Sequence, residues 1–262
     1  MVSIIIPCRK IKEAEFCINQ CLKVDYEIFE IIVVPDSYDT DYHLDTAVPD
    51  HVFIRIIASG NILPSHKRDI GIRESNGDVI AFIDADAFPH QLWLKAATDI
   101  LESDDDLAGV CGAGVIPKDA SVWKRAADNV MGLLPMAYRV KHSAEQYVDD
   151  YPTFNLIFKR KYVDEVGGFD CDYLTGEDTL LCQKITVGLG KKILYHPLLF
   201  VYHDRRELFM PFAKQVHTFG KHRGYFFKRH PETSRRVIYI LPVIGAICFV
   251  SSLLYLVLSF LF

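Results

Sequence analysis

Short apolar runs alternate with helical patterns through the first half of this chain, and that alternation narrows the fold more than any other feature. Runs at Val2 to Pro7, Phe29 to Pro35, Val52 to Ala58, Val79 to Asp84 and Leu107 to Gly114 predict strands. Helical spacing at Lys12 to Leu22, Ser65 to Glu74 and Gln91 to Glu102 fills the gaps between several of them. Nearly continuous apolar strands joined through helices are the pattern of a mainly parallel sheet buried on both faces, so the expected class is α/β. Beyond Pro117 the text is less regular. It predicts a helix at Val122 to Leu134, an acidic loop at Asp149-Asp150-Tyr151-Pro152 and a short strand at Phe154 to Phe158. Helices at Lys161 to Val166 and Glu177 to Val187 follow, then strands at Lys192 to Tyr195 and Leu199 to Tyr202.

A second constraint lies at the C-terminus. Val237 to Phe262 carries no charge, and about 26 residues make a helix about 39 Å long, enough to cross a bilayer with some tilt. Pro242 and Gly245 leave a buried core helix or hairpin as the alternative. Arg235 and Arg236 abut the run, so the positive-inside bias sets the preceding domain on the cytoplasmic face. Met1 leads straight into the first strand without the basic flank of a signal peptide, which keeps that domain in the compartment where it is made. Seven scattered cysteines make neither a zinc framework nor a disulfide ladder. The chain stops inside the apolar run, which leaves room for further spans.

Between these parts the charge changes sign. From Arg205 to Arg236 there are nine Lys/Arg against two Glu, a net of +7, while the whole chain is at −5 and the remainder therefore at −12. Leu208, Phe209, Phe212, Val216, Phe219, Phe226 and Phe227 recur at helical spacing, with Lys214, His217, Lys221 and Arg223 at other positions. This predicts a basic amphipathic helix lying among the headgroups of an anionic leaflet. The predicted organisation is an α/β unit at 1–204, with a regular half at 1–116 and a less regular half at 117–204, then an interfacial segment at 205–236 and a transmembrane helix at 237–262.

The chemistry starts at Asp84-Ala85-Asp86, directly after Val79-Ile80-Ala81-Phe82-Ile83. Asp-x-Asp also occurs at Asp39/Asp41, Asp104/Asp106 and Asp170/Asp172, all in polar, turn-like text that needs no metal. Asp84 and Asp86 alone follow a buried strand, where open α/β sheets bind ligands. Two carboxylates there suit a hard divalent cation that keeps positions for water and phosphate. No G-x-G-x-x-G opens the first helix, so a dinucleotide oxidoreductase loses its main support. The first turn instead offers Pro7, Cys8, Arg9 and Lys10 to a phosphate or a base.

Ser3-Ile4-Ile5-Ile6-Pro7, Glu30 to Ser37, Lys67-Arg68-Asp69-Ile70-Gly71 through Gly77-Asp78 into Asp84-Ala85-Asp86, and Val166-Gly167-Gly168-Phe169-Asp170 before Gly176-Glu177-Asp178 occur in that order. Together they resemble the family 2 glycosyltransferases with the GT-A nucleotide-sugar fold, over about Val2 to Asp204, and bacterial and archaeal enzymes of polysaccharide or lipid-linked glycan assembly in particular. The resemblance implies a role for each matching position. Asp36 recognises the nucleotide base, beside Pro7, Cys8 and Arg9, although Pro35 stands where an aspartate is usual. Lys67 and Arg68 help to hold the nucleotide. Asp86 binds the metal, with Asp84 on ribose or metal-bound water and Ala85 between them, and His203 resembles a histidine that some relatives set near the metal or diphosphate. Asp178 is the general base, and Glu177 orients the site or takes part in acceptor contacts. The processive Gln-x-x-Arg-Trp motif is absent, which favours addition of one sugar.

The expected activity is inverting, metal-dependent transfer, with Mn2+ or Mg2+, from a nucleotide sugar, most simply a UDP-sugar, to a lipid-linked or glycan acceptor at the cytoplasmic membrane face. No nucleic acid is expected as a partner. The alternatives are a synthase that glycosylates polyprenyl phosphate itself, a nucleotide-binding membrane scaffold without catalysis, and a glycoside hydrolase using two carboxylates. The hydrolase gives no reason for a metal motif at a strand end.

Overall fold

A computed structural model describes residues 1–38, 46–133, 143–234 and 237–261. In chain order the elements are β1 (Val2–Pro7), α1 (Ile11–Cys21), β2 (Phe29–Val34), β3 (Val52–Ile56), α2 (Pro64–Glu74), β4 (Val79–Phe82), β5 (Ala87–Pro89), α3 (Trp93–Ser103), β6 (Leu107–Cys111) and β7 (Gly114–Val115). There follow α4 (Val122–Leu133), β8 (Gln146–Val148), β9 (Leu156–Lys159), α5 (Arg160–Glu165), α6 (Glu177–Gln183), β10 (Lys192–Tyr195), β11 (Val201–His203), α7 (Met210–Arg229), α8 (Pro231–Ser234) and α9 (Val237–Leu261). Asp39, Asp41, Leu134, Arg235, Arg236 and Phe262, to which the sequence reading gave roles, lie outside the described residues.

One eight-stranded sheet runs in the order β3-β2-β1-β4-β9-β6-β10-β8. β1 to β4 are mutually parallel where they pair, as the apolar runs predict. β9 enters antiparallel between β4 and β6, and β8 closes the far edge antiparallel to β10, so the sheet is mixed but mostly parallel. Every residue of β2 is buried, because α1 covers one face through Ile11, Ala14, Cys17, Ile18 and Cys21, one helical stripe. Behind the sheet, Trp93 Nε1 donates to Asn155 Oδ1 (2.9 Å), and Asn155 Nδ2 donates to the carbonyls of Gly112 (2.7 Å) and Leu199 (2.6 Å), so a buried polar group is fully used.

A small second sheet, β5-β11-β7, stands at the carboxyl edge. It splits the expected Leu107 to Gly114 strand in two, since β6 stays in the large sheet while β7 leaves to pair with β11.

Two expectations about the C-terminal part change. Phe226 is 2 % exposed, packed on Tyr173 at a centroid distance of 5.0 Å, so the apolar stripe of α7 is divided between the domain and its surroundings rather than all facing outward. Among the described residues α9 is one helix rather than a hairpin and has no core to bury it: Tyr239–Leu256 has a mean hydropathy of 2.1 and none of it is buried. At 25 residues, α9 is about 37 Å long.

Candidate active site

α2 is the hub of the site. Pro64 begins it, where the missing N–H costs nothing, and Ser65, Lys67, Arg68, Gly71 and Ile72 turn inward. Lys67 Nζ donates to the Cys8 carbonyl and to the Asp36 carboxylate, while the Asp36 N–H donates to the Arg9 carbonyl at 3.0 Å. Pro7, Cys8, Asp36 and Lys67 are thus one cluster, locking the ends of β1 and β2 to α2. Burial pushes the Cys8 thiol up to about 12, which keeps it protonated. The Arg9 side chain stays out of the cluster: it is exposed and pairs with Glu13 at 3.0 Å.

Arg68 faces the other way along the site. Its Nη2 donates to Asp84 Oδ1 (2.9 Å), its Nη1 donates to Glu177 Oε1 (3.0 Å), and its Cζ lies 5.7 Å over the Phe169 ring. Arg68 therefore bridges the turn after β4 to the start of α6. Arg68 Nε and Glu177 Oε2 are buried without a hydrogen-bond partner among the described residues.

The carboxylates after β4 meet a third group through the small sheet. β5 and β11 pair antiparallel with Ala87 opposite His203, and the Asp204 N–H donates to the Asp86 carbonyl at 2.9 Å. His203 Nε2 then lies 3.2 Å from Asp86 Oδ1, while its ring stacks on Phe154 at 4.8 Å. Burial alone would raise Asp86, but the hydrogen bond and charge of His203 outweigh it and hold the carboxyl below its ordinary value. Ligand atoms of Asp84, Asp86 and His203 lie within 4.8 Å of one another. Two carboxylates and an imidazole fit a manganese-like divalent cation. Ala85 packs against the core between them. By contrast, Asp104 and Asp106 form the expected turn: the Asp106 N–H donates to Asp104 Oδ1 at 2.8 Å.

At the far side, Gly176 at φ +90° enters α6, and a Cβ there would meet the Phe226 ring at 2.7 Å. Glu177 and Asp178 occupy the first turn, where the helix dipole favours carboxylates. Asp178 keeps partial exposure to the cavity and accepts from the Thr179 N–H at 2.8 Å. Burial, then the charges of Glu177 and Asp150, push its carboxyl well above the ordinary range. The loop before α6 is fixed by Asp69, which accepts from the N–H groups of Phe169 (2.8 Å) and Asp170 (3.0 Å). Gly168, at φ +69°, passes so close that a Cβ would lie 2.5 Å from Asp69 Oδ1.

Arg68, Asp84, Asp86, Glu177, Asp178 and His203 all line one cavity of about 350 Å³. Pro7, Cys8, Arg9, Asp36 and Lys67 do not line it. The sequence reading missed Asp150, Arg205 and Arg206, and the α7 wall. A basic pair directly after His203-Asp204 is the one signal that could have pointed to the arginines.

A sequence model of glycosyl transferase family 2 matches residues 3–167, which include Asp36, Lys67, Arg68, Asp84 and Asp86 and stop before Glu177, Asp178 and His203. The pre-mycofactocin glycosyltransferase of Mycobacterium tuberculosis is 25% identical over 222 residues, 79% of this chain and 44% of its own length. A glucosyl-dolichyl phosphate glucuronosyltransferase of Haloferax volcanii is 24% identical over 200 residues, 72% of this chain and 64% of its own. The chain thus spans under half of the first relative and under two thirds of the second. Among solved structures, a mannosyltransferase from Pyrobaculum calidifontis in complex with GDP-Man and Mn2+ superposes with a TM-score of 0.63 at 18% identity, covering 88% of this chain and 64% of that one. The fold is GT-A-like, and because the family match spans more than half of its length, this chain belongs to glycosyl transferase family 2.

Proposed function

We propose that the protein is a membrane-attached, metal-dependent, inverting glycosyltransferase that moves a sugar from a nucleotide sugar, most simply a UDP-sugar, to a lipid-linked acceptor on the cytoplasmic face. One observation carries the reading. Asp84, Asp86 and His203 line the same cavity as Asp178, so a leaving-group end and a base end face one space.

Asp178 is the group suited to take the proton of an acceptor hydroxyl. As the acceptor oxygen bonds to the anomeric carbon, the bond from that carbon to the diphosphate breaks, and the anomeric centre inverts. A base must lie within hydrogen-bond reach and hold enough affinity for the proton, and the raised carboxyl of Asp178 supplies that affinity. Asp84, Asp86 and His203 would hold the divalent cation, which when bound contributes Lewis-acid neutralisation of the diphosphate charge. Glu177 and Arg68 keep the two ends in register, and Asp36 serves the nucleotide base. The lipid-linked acceptor is supported by α9, long and apolar enough to cross a membrane, and by the Haloferax volcanii relative, whose name specifies glucosyl-dolichyl phosphate. In this reading residues 1–116 serve the donor, 117–204 the acceptor, and 205–236 the anionic bilayer surface.

The test is a nucleotide-release screen of the full chain in detergent, over several nucleotide sugars and lipid acceptors, with Mn2+, with Mg2+ and with chelator. Release that needs both cation and acceptor is expected. Chelator-insensitive glycan hydrolysis without nucleotide would replace this reading with a hydrolase.

A further inference from the structure

We infer that the α7 wall of the cavity is a subsite for the phosphate of the lipid-linked acceptor, with Arg223 as its main ligand and His222 beside it; this deepens the sugar-transfer reading and rests on it. Gln215, Phe219, His222, Arg223 and Phe226 all line the cavity. They fall at i, i+4, i+7, i+8 and i+11, so one helical face looks inward.

Charge separates the half-buried Arg223 from two other guanidinium groups of the cavity. Arg68 is held by Asp84 and Glu177, and Arg205 by Asp128 at 3.1 Å. Arg223 touches neutral groups: its Nη1 donates to Ser234 Oγ at 3.1 Å, and its Cζ lies 4.3 Å over the Tyr239 ring. No carboxylate of the described residues pairs with Arg223 or His222. The buried Ser234 hydroxyl and the Tyr239 ring hold the fork in position while leaving its charge available, and such a preorganised fork suits phosphate oxygens. Arg206 also lacks an ion pair among the described residues, but its charge acts on Asp86, at the leaving-group end.

Position identifies the phosphate as that of a lipid. Tyr239 stands in the first turn of α9, so a phosphate on Arg223 sits where the uncharged helix begins and its hydrocarbon chain can run beside α9. On the inner side, Phe226 abuts Gly176 at the entry of the helix that carries Asp178. The sugar next to that phosphate would therefore lie between Arg223 and Asp178.

The full chain in phosphatidylcholine nanodiscs is titrated calorimetrically with farnesyl phosphate, farnesol and inorganic phosphate, and separately with manganese and UDP. Farnesyl phosphate is expected to bind at least tenfold more tightly than farnesol or phosphate. Arg223→Gln should lose at least tenfold of that affinity while binding manganese–UDP as before. Unchanged affinity in Arg223→Gln overturns the subsite, as does displacement of farnesyl phosphate by phosphatidylglycerol in the disc, which would assign Arg223 to bilayer headgroups. Should Arg223→Gln fail to fold, Arg223→Lys is read in its place: it keeps the charge and lacks the fork, and a loss of at least threefold supports the subsite whereas no loss refutes it. A wild-type chain that binds manganese–UDP but not farnesyl phosphate sinks the subsite and leaves sugar transfer standing.

Discussion

Replacing Arg68 by Met removes the cation that joins the two ends of the site. Arg68 is 4 % exposed and Glu177 6 %, so water cannot take over the pairing unless the structure opens. Removing one partner from a buried ion pair costs about 3–5 kcal/mol. Glu177 has an escape that sets a ceiling, because protonating at pH 7 a carboxyl of ordinary value about 4.3 costs about 3.7 kcal/mol. The expected loss at pH 7 is thus about 3–4 kcal/mol, a large share of the about 5–15 kcal/mol that stabilises a typical domain. Its sign with pH follows. Burial raises Glu177 and Arg68 opposes that rise, so without Arg68 the folded-state carboxyl rises further. The penalty is then complete at neutral pH, shrinks by about 1.4 kcal/mol per unit as the pH falls, and is about 1 kcal/mol at pH 5. Urea denaturation of the full chain in mild detergent, followed by the fluorescence of buried Trp93, measures it at both pH values. The double variant Arg68→Met/Glu177→Gln should recover most of the loss at pH 7. A wild-type midpoint for Arg68→Met at pH 7, or a loss of the same size at pH 5, would refute the bridge.

Glu177→Gln removes a charge that raises Asp178 and also frees the Arg68 charge beside it, so both changes lower the Asp178 carboxyl. The acid limb of the transfer rate should move to lower pH, and a limb that stays or moves upward contradicts the assignment. Gly168→Ala must adopt a left-handed backbone and crowd Asp69, with an expected cost of about 1–3 kcal/mol in the denaturation midpoint. Asp86→Ala should abolish saturable Mn2+ binding in the presence of UDP, read by the paramagnetic resonance of the free ion, and His203→Ala should weaken it; wild-type binding in both would remove the cation from this cluster.

The parallel half of the sheet is legible in the sequence because β1, β2 and β4 are apolar apart from Ser3 and Glu30, and a strand buried on both faces leaves little choice of environment. The insertion of β9 between β4 and β6 is not, since its neighbours are set by pairings across about 75 and 50 residues. The three-residue strands β5 and β8 are too short to show a period, yet β5 is what brings His203 to Asp86. Within the site, the order of motifs marks Asp84, Asp86 and Asp178 but not how the basic pair divides: adjacent residues on α2 point in different directions, so Lys67 goes to Asp36 and Arg68 to Asp84 and Glu177. For α7, periodicity separates apolar from basic positions. It carries no information on which neighbour, bilayer or cavity, takes each face, and Phe226 and Arg223 turn inward together.

The central claim is that Asp178 performs the proton transfer while Asp84, Asp86 and His203 serve the leaving group. Single-turnover transfer by Asp178→Asn, measured beside its manganese–nucleotide affinity, separates these roles. The account predicts unchanged affinity with transfer reduced by about 10²–10⁴-fold. Wild-type turnover in Asp178→Asn, with the nucleotide bound, would contradict it.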